Sequence, residues 1–241
     1  MNSICYNNSE ILKYFLEPQS VALIGISRKT GRGSFNIMEN LIEYGFQGKI
    51  YPVNPKAKEI LGQRVYSDVA SLPEGIDLAI ISTPRDSVPE LVKKCAGRKI
   101  KGIIIITQGF READDPMGKE LQQELDRITN ETRIRVLGPN SLGVINAFSG
   151  FSSAFIPIPR IQYPVALISQ SGGFFEGFAN CPFGKGVDLG NASDLSFIEA
   201  LSYFEKDPDI RVIVIYMEAI SQVSEFIPLA RRITRSKPIL F

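Results

Sequence analysis

The segment 20–34 reads SVALIGISRKTGRGS, an apolar run followed by small, hydroxylated and basic residues. Its first part, 20–27, is typical of a strand that is buried on both faces of a parallel sheet. Comparable apolar runs follow at 49–54, 77–83, 102–108 and 135–138. Ligands of open parallel sheets lie beyond the carboxyl ends of the strands, so the segment predicts a first strand and a ligand-facing loop.

Helix-like stretches separate these runs, at 34–44, 87–96 and 116–129. Ser87 suits the N-cap of the second helix, because Pro89 would then lie in its first turn. Strands and helices that alternate in this way are joined by right-handed crossovers. The first half of the chain is therefore predicted to be a Rossmann-like, doubly wound α/β sheet.

A second α/β series begins after residues 146–164, which contain three prolines and no clear periodicity. We interpret 146–164 as a linker or crossover and place a domain boundary at 148, giving domains at 1–148 and 149–241. The final strand has no helix after it, so we expect the second domain to be truncated or completed by another chain. Its predicted strands are 165–169, 185–189, 211–217 and 237–241, and its predicted helices are 172–179, 194–205 and 224–236.

Composition narrows the possible functions of the 241 residues. The chain has 27 basic and 26 acidic residues, a balance that argues against binding to nucleic acid or to an anionic membrane. No apolar run reaches the roughly 18 residues that span a bilayer, and the polar N-terminus is unlike a signal peptide. The three cysteines are far apart, which predicts no disulfide framework or metal cluster and favours a cytoplasmic location. Histidine is absent, so no histidine-based step can be performed by this chain.

The loops after the first two strands are candidate phosphate sites. The glycines after the first strand do not have the GxGxxG spacing of a dinucleotide site, but small residues and cations before a helix favour a phosphate. Lys56 occupies a position where an NAD enzyme usually has an acidic residue. Solvated turns and a surface lysine are the alternative interpretations. The candidates are Gly25, Ser27, Arg28, Gly31, Gly33, Asn54, Pro55 and Lys56.

Polar residues also follow the later strands. Those after the third and fourth strands are predicted to line a ligand path, with a glycine that permits close approach of the backbone. In the second half, the sequence SQSGG between a strand and a helix offers hydroxyls and backbone N–H groups to an anion. These candidates are Thr83, Pro84, Thr107, Gln108, Gly109, Asn140, Ser169, Gln170, Ser171, Gly172 and Gly173.

Taken in order, these loops resemble one family. The segments SVALIGISR, YPVNPKAKEILG, STP, TQGFRE and GPNSLG are similar to the CoA-binding domain of succinyl-CoA synthetase α subunits and ADP-forming acetyl-CoA synthetases. The segments ALISQSGG, DLGNASD, EALSYFEKDP and VIVIYMEAI are similar to the flavodoxin-type domain that follows it. The resemblance runs from about residue 20 over nearly the whole chain.

The resemblance implies a role for each group of residues. Ser27, Arg28 and the glycines of the first loop would bind the CoA phosphates, and Lys56 would pair with the nucleotide end. The residues after the third and fourth strands would line the pantetheine path. Residues 169–173 would hold a phosphohistidine, which Glu218 would orient; without the resemblance, Glu218 is an ordinary residue at a strand end.

The sequence departs from the family pattern at several positions. Gln108 replaces a smaller residue or a glutamate, and Ser141 replaces a common cysteine. The stretch 171–190 is shorter than expected and is interrupted by Gly177, Pro182 and Gly184. The phosphorylated histidine of the family has no counterpart in the chain.

Two functions follow from the resemblance. The first is the CoA-binding component of an NDP-forming acyl-CoA synthetase, which converts a small carboxylic acid, CoA and ATP to acyl-CoA, ADP and phosphate. It would need an ATP-grasp β subunit or domain, through which ATP, ADP and Mg would bind. We expect the protein to form an oligomer and the isolated chain to be inactive. The second is a non-catalytic module that binds CoA or acyl-CoA. An NAD(P)-binding oxidoreductase domain is a third, weaker interpretation.

Overall fold

The computed structural model describes residues 8–31, 33–177 and 182–241. Arg32, Cys5, Cys181 and the end of the predicted helix 172–179 lie outside these residues. In chain order the strands are β1 (Ser20–Ile24), β2 (Lys49–Val53), β3 (Glu59–Ile60), β4 (Gln63–Arg64), β5 (Leu78–Ile81), β6 (Gly102–Ile105), β7 (Arg135–Leu137), β8 (Val144–Asn146), β9 (Phe151–Ser152), β10 (Val165–Ser169), β11 (Lys185–Asp188), β12 (Val212–Tyr216) and β13 (Ile239–Leu240). The helices are α1 (Asn8–Ile11), α2 (Lys13–Leu16), α3 (Ile37–Tyr44), α4 (Val88–Gly97), α5 (Pro116–Thr132), α6 (Gly172–Gly177), α7 (Phe197–Lys206) and α8 (Val223–Ile233).

The first sheet is parallel and has the order β2-β1-β5-β6-β7. Strands β5 and β6 are buried along their whole length, because α2 and α3 lie on one face and α4 and α5 on the other. This arrangement confirms the predicted Rossmann-like sheet. Each strand of this sheet ends one to three residues before the end of the corresponding predicted run. The last residues of each run belong to the loops that carry the polar side chains.

The caps of the helices follow local side-chain chemistry. Asn36 caps α3 through bonds from the N–H groups of Met38 and Glu39, and Ser196 forms a capping box with Glu199 at the start of α7. Ser87 occupies the N-cap position of α4 but makes no capping bond. Its hydroxyl instead donates to Thr83 Oγ1 at 2.9 Å and to the Pro84 carbonyl at 2.7 Å, so it orders the turn after β5.

The second sheet has the order β13-β12-β10-β11-β8-β9. Strands β10 to β13 are parallel, whereas β8 and β9 form an antiparallel hairpin at the other edge. The predicted boundary at residue 148 falls between the two strands of this hairpin, and β9 lies inside the predicted linker 146–164. Its strands contain three and two residues, too few for an alternating pattern to identify them. The boundary at 148 stays a prediction.

A seam of hydrogen bonds joins the two sheets, and we call its two segments 135–143 and 188–195 the interdomain seam. The N–H groups of Asn191, Ser193 and Leu195 donate to the carbonyls of Pro139, Gly138 and Val136, at 2.9, 3.2 and 3.1 Å. Gly190 has a φ of 52° and lies against the Pro139 and Asn140 carbonyls, where a side chain would clash.

Asp194 anchors the seam at the end that is farther from the loops. Its carboxylate accepts from the Val136 N–H at 2.7 Å and from Arg135 Nε at 3.0 Å, and the two charged side chains are 22% and 23% exposed. Arg135 also lies 3.6 Å from Glu199 Oε1. Because both partners are largely shielded from water, the loss of one would leave the other poorly solvated.

We therefore expect Asp194→Ala to lower the free energy of unfolding by about 3 kcal/mol, measured by urea denaturation. Glu131→Ala is the control, because Glu131 pairs with Arg127 at 2.7 Å on the surface of α5, where the two side chains are 58% and 53% exposed. The control should cost no more than about 1 kcal/mol. Equal losses in the two variants would contradict an anchoring role for Asp194.

Candidate functional site

A cavity of about 800 Å³ lies where the carboxyl ends of the two sheets meet. The loops of the first sheet and the seam segment 135–143 form one side of it, and the loops after β10, β11 and β12 form the other. Its lining residues are Ser82, Thr83, Pro84, Arg85, Ile106, Thr107, Gln108, Asn140, Ser141, Leu142, Phe155, Gln170, Ser171, Gly172, Asp188 and Glu218.

The cavity brings together part of the residue set predicted from the sequence. Nine of the twenty predicted residues line it: Thr83, Pro84, Thr107, Gln108, Asn140, Gln170, Ser171, Gly172 and Glu218. The other eleven do not line it: Ser169 ends β10, Gly173 lies in α6, and the rest lie in the loops after β1, β2 and β6, namely Gly25, Ser27, Arg28, Gly31, Gly33, Asn54, Pro55, Lys56 and Gly109.

The loops after β1 and β2 lie side by side because the two strands are neighbours in the sheet. Asn54 Nδ2 donates to the Ile26 carbonyl at 2.8 Å and thereby ties the loops together. Arg28 and Lys56 are exposed on them. The Gly31 N–H donates to the Glu39 carboxylate at 2.8 Å, so this loop already binds one anionic group with its backbone. Gly25, with a φ of 87°, lies against the Ser82 carbonyl, where a Cβ would come within 2.7 Å of the oxygen.

The turns after β5 and β6 are hydrogen-bonded to each other. Thr107 Oγ1 donates to the Thr83 carbonyl at 2.7 Å, and Thr83 Oγ1 accepts from Ser87. Both threonines thus have a defined orientation at the cavity wall, and rigid polar groups of this kind position a ligand without reorganisation.

Arg85 is a lining residue that the sequence analysis missed. Its guanidinium donates to the Gly109 carbonyl at 2.9 Å and to Asp115 at 2.8 Å, and the pairing lowers the pKa of the Asp115 carboxyl below its usual value. The available signal was a basic residue directly after the polar turn Ser82-Thr83-Pro84.

The residues of segment 169–173, all predicted to bind a phosphate, have different roles in the structure. The Gln170 amide oxygen accepts from the Glu218 and Ala219 N–H groups, at 2.8 and 2.9 Å, so Gln170 positions the loop that carries Glu218. Ser169 is buried, and its hydroxyl is bonded to the Ser171 carbonyl and N–H. Ser171 and Gly172 are the members of this segment that both line the cavity and lie at the start of α6.

Asp188 is another lining residue that the sequence did not predict. It is buried at the end of β11, and its carboxylate accepts from the Leu142 N–H at 2.6 Å and the Gly190 N–H at 3.2 Å. Burial is the main cause that raises the pKa of Asp188 to about 6; the nearby charge of Glu218 also raises the pKa, and the two N–H bonds lower it. The available signal was an acidic residue inside the predicted strand 185–189.

Two family models match the chain. Residues 19–147 match the CoA binding domain, and residues 162–241 match the succinyl-CoA ligase like flavodoxin domain. None of the helices in the described part of the chain is both long enough and apolar enough to cross a membrane.

Curated relatives and solved structures agree with the family models. The chain is 36% identical over 235 residues to an ADP-forming acetate–CoA ligase of Methanocaldococcus jannaschii, covering 95% of this chain and 32% of that protein. It is 36% identical over 241 residues to the alpha subunit of ADP-forming acetate–CoA ligase I of Pyrococcus furiosus, covering 95% and 52%. A dinucleotide forming acetyl-coenzyme A synthetase of Ca. Korarchaeum cryptofilum, solved with phosphate and ADP, superposes with a TM-score of 0.86 at 35% identity, covering 97% and 51%. The chain spans about a third to a half of the length of these relatives.

The raised pKa of Asp188 predicts a pH-dependent stability. A carboxyl whose pKa is about 6 when folded and 3.8 when unfolded favours the folded state while it is protonated. As pH rises from about 4 to about 7, its contribution is lost, so the stability of the wild type should fall relative to Asp188→Asn by up to about 3 kcal/mol. Urea denaturation of both proteins across this range measures the difference, and a constant difference would rule out the raised pKa.

Proposed function

The chain belongs to the family of ADP-forming acyl-CoA synthetases, as a counterpart of their α-subunit part, and from this premise we propose that it binds coenzyme A and presents the CoA thiol to the cavity between its two sheets. The observation that carries the proposal is the position of that cavity. It lies where the predicted pantetheine path, at Thr83 and Thr107, meets the predicted phosphate-binding loop, at Ser171 and Gly172.

The order of the strands supports a continuous path for CoA. Strands β2, β1, β5 and β6 are successive neighbours, so their carboxyl ends lie in a row that spans roughly 14 Å. Lys56 and Arg28, on the first two loops, provide positive charge for the nucleotide and diphosphate groups. Thr83 and Thr107, on the next two, lead to the cavity with ordered hydroxyls.

We assign the phosphate-transfer role to the wall formed by the loops after β10 and β12. Glu218 lies at the cavity on a loop that Gln170 holds through two backbone hydrogen bonds, and this placement suits a carboxylate that orients an incoming imidazole. The chain has no histidine, so the phosphohistidine of the reaction would come from outside these 241 residues. We propose that an ATP-grasp partner supplies ATP and Mg, that a small carboxylic acid accepts the phosphoryl group before its acyl group passes to CoA, and that the assembly works in the cytoplasm.

A second candidate function is a module that binds CoA or acyl-CoA without catalysis. The arrangement of Gln170 and Glu218 favours the synthetase over this module. Mixing the chain with an ATP-grasp partner and a histidine-bearing segment of the family, then measuring acyl-CoA formation, separates the two. An NAD(P) site has less support, because the loop after β1 lacks GxGxxG and Asn54-Pro55-Lys56 carries no acidic residue.

Calorimetry with CoA, dephospho-CoA and NAD tests the proposal directly. We expect CoA to bind and Lys56→Ala to weaken its binding by about tenfold, or roughly 1.5 kcal/mol, because Lys56 is exposed and one charge-assisted contact is lost. If Lys56 contacts the 3′-phosphate, the same substitution should leave dephospho-CoA binding unchanged.

Lys58→Ala is the matched control, because Lys58 is also exposed and lies two residues farther along the same loop. It should bind CoA as the wild type does. Binding of NAD without binding of CoA would refute both the synthetase and the module.

A further inference from the structure

Asp188 is a buried acid on the wall of the cavity to which the proposed CoA path leads. Its side chain bridges the two halves of the molecule, since it lies on β11 and accepts from the Leu142 N–H of the interdomain seam. The Ser141 hydroxyl also donates to the Asp188 carbonyl. These bonds hold the carboxyl in place beside the cavity, and the residue as a whole is 0% exposed.

The carboxyl also lies against the predicted phosphate-binding loop. A methyl group placed on Gly172 would lie 3.5 Å from Asp188 Oδ2, so the acid and the backbone of this loop are in direct proximity. A phosphate group next to Ser171 and Gly172 would therefore have a buried carboxyl as its neighbour. Two anions this close, with little water between them, repel each other strongly.

Few charges are present to offset that repulsion. Among the cavity-lining residues, Arg85 and Glu218 are the other ionisable side chains. Arg85 is paired with Asp115, and Glu218 adds negative charge. The segments 138–146 and 165–175, which pack against Asp188, contain no ionisable residue.

The remaining ionisable groups of β11 and of the loop after it are already paired. Lys185, at the start of the strand, is bound to Asp207 and Asp209 at 2.7 and 2.9 Å. Asp194 is bound to Arg135. Because the nearby cations are already paired, a proton that binds to the Asp188 carboxylate is the remaining way to reduce its repulsion of a bound anion.

Building on the proposed function, we propose that Asp188 takes up a proton from solvent when a tetrahedral oxyanion, such as a phosphate group, occupies the cavity beside Ser171 and Gly172. The proton adds to the carboxylate, and no bond of the ligand is made or broken. Through this proton uptake, Asp188 makes the binding of an anion at the phosphate-binding loop depend on pH.

The protonation behaviour of Asp188 is consistent with this role. Burial, with a smaller contribution from the charge of Glu218, raises its pKa to about 6, so the carboxyl is ionised at pH 8 when no anion is bound. A bound oxyanion raises that pKa further, for the same reason that the charge of Glu218 does. Binding at pH 8 is then accompanied by proton uptake, and affinity falls as pH increases.

Sulfate is the probe, because it is a tetrahedral dianion that does not titrate near neutral pH. Calorimetry of the full chain at pH 8, in two buffers that differ in ionisation enthalpy, counts the protons taken up. We expect close to one proton per bound sulfate, and an affinity that falls about tenfold for each pH unit above roughly pH 7. Asp188→Asn should bind sulfate without proton uptake, whereas Asp114→Asn, at an exposed position outside the cavity, should behave as the wild type does.

Sulfate binding by the wild type without proton uptake, failure of sulfate to bind, or uptake that persists in Asp188→Asn would each overturn the inference. Circular dichroism checks that Asp188→Asn is folded; if it is not, the two-buffer measurement on the wild type decides. CoA calorimetry on the same preparation separates this inference from the proposed function. Absence of CoA binding would refute the function, whereas CoA binding without sulfate-linked proton uptake would refute only the role of Asp188.

Discussion

The interdomain seam is the contact on which the arrangement of the site depends. Backbone N–H groups of segment 188–195 donate to carbonyls of segment 135–143, and the Asp194 and Asp188 carboxylates accept further bonds near the two ends. These bonds place the carboxyl ends of the two sheets against each other. The cavity exists because of that contact, since each half supplies only one of its walls.

The electrostatics of the cavity follow from the same contact. Burial at the seam removes water from Asp188 and raises its pKa, while Glu218 faces it from the loop after β12. Arg85 is the cationic residue of the wall, and Asp115 and the Gly109 carbonyl hold it in position. With Arg85 paired to Asp115, the cavity wall carries two carboxyl groups, those of Asp188 and Glu218, and one guanidinium.

Much of the fold could be predicted because buried parallel strands have a strong local signature. The run VALI at 21–24 is apolar on both faces, and so are the runs that form β5 and β6. The hairpin of β8 and β9 was not predicted, because two or three residues carry too little pattern. Arg85 and Asp188 were missed since each becomes a lining residue only when segments 24 and 46 residues away in the chain, at Gly109 and Leu142, pack against it.

By itself, the sequence determined the alternation of the longer strands and helices, the family of the chain, the polar residues that follow the buried strands and the absence of histidine. These properties are local or compositional, so they can be recognised without knowing what lies nearby in space. The tertiary structure alone decided which of those residues share a cavity, that Gln170 supports the Glu218 loop, and that Asp188 is buried beside Gly172. Those properties depend on distances and on the exclusion of water, and both arise only when the two sheets pack together.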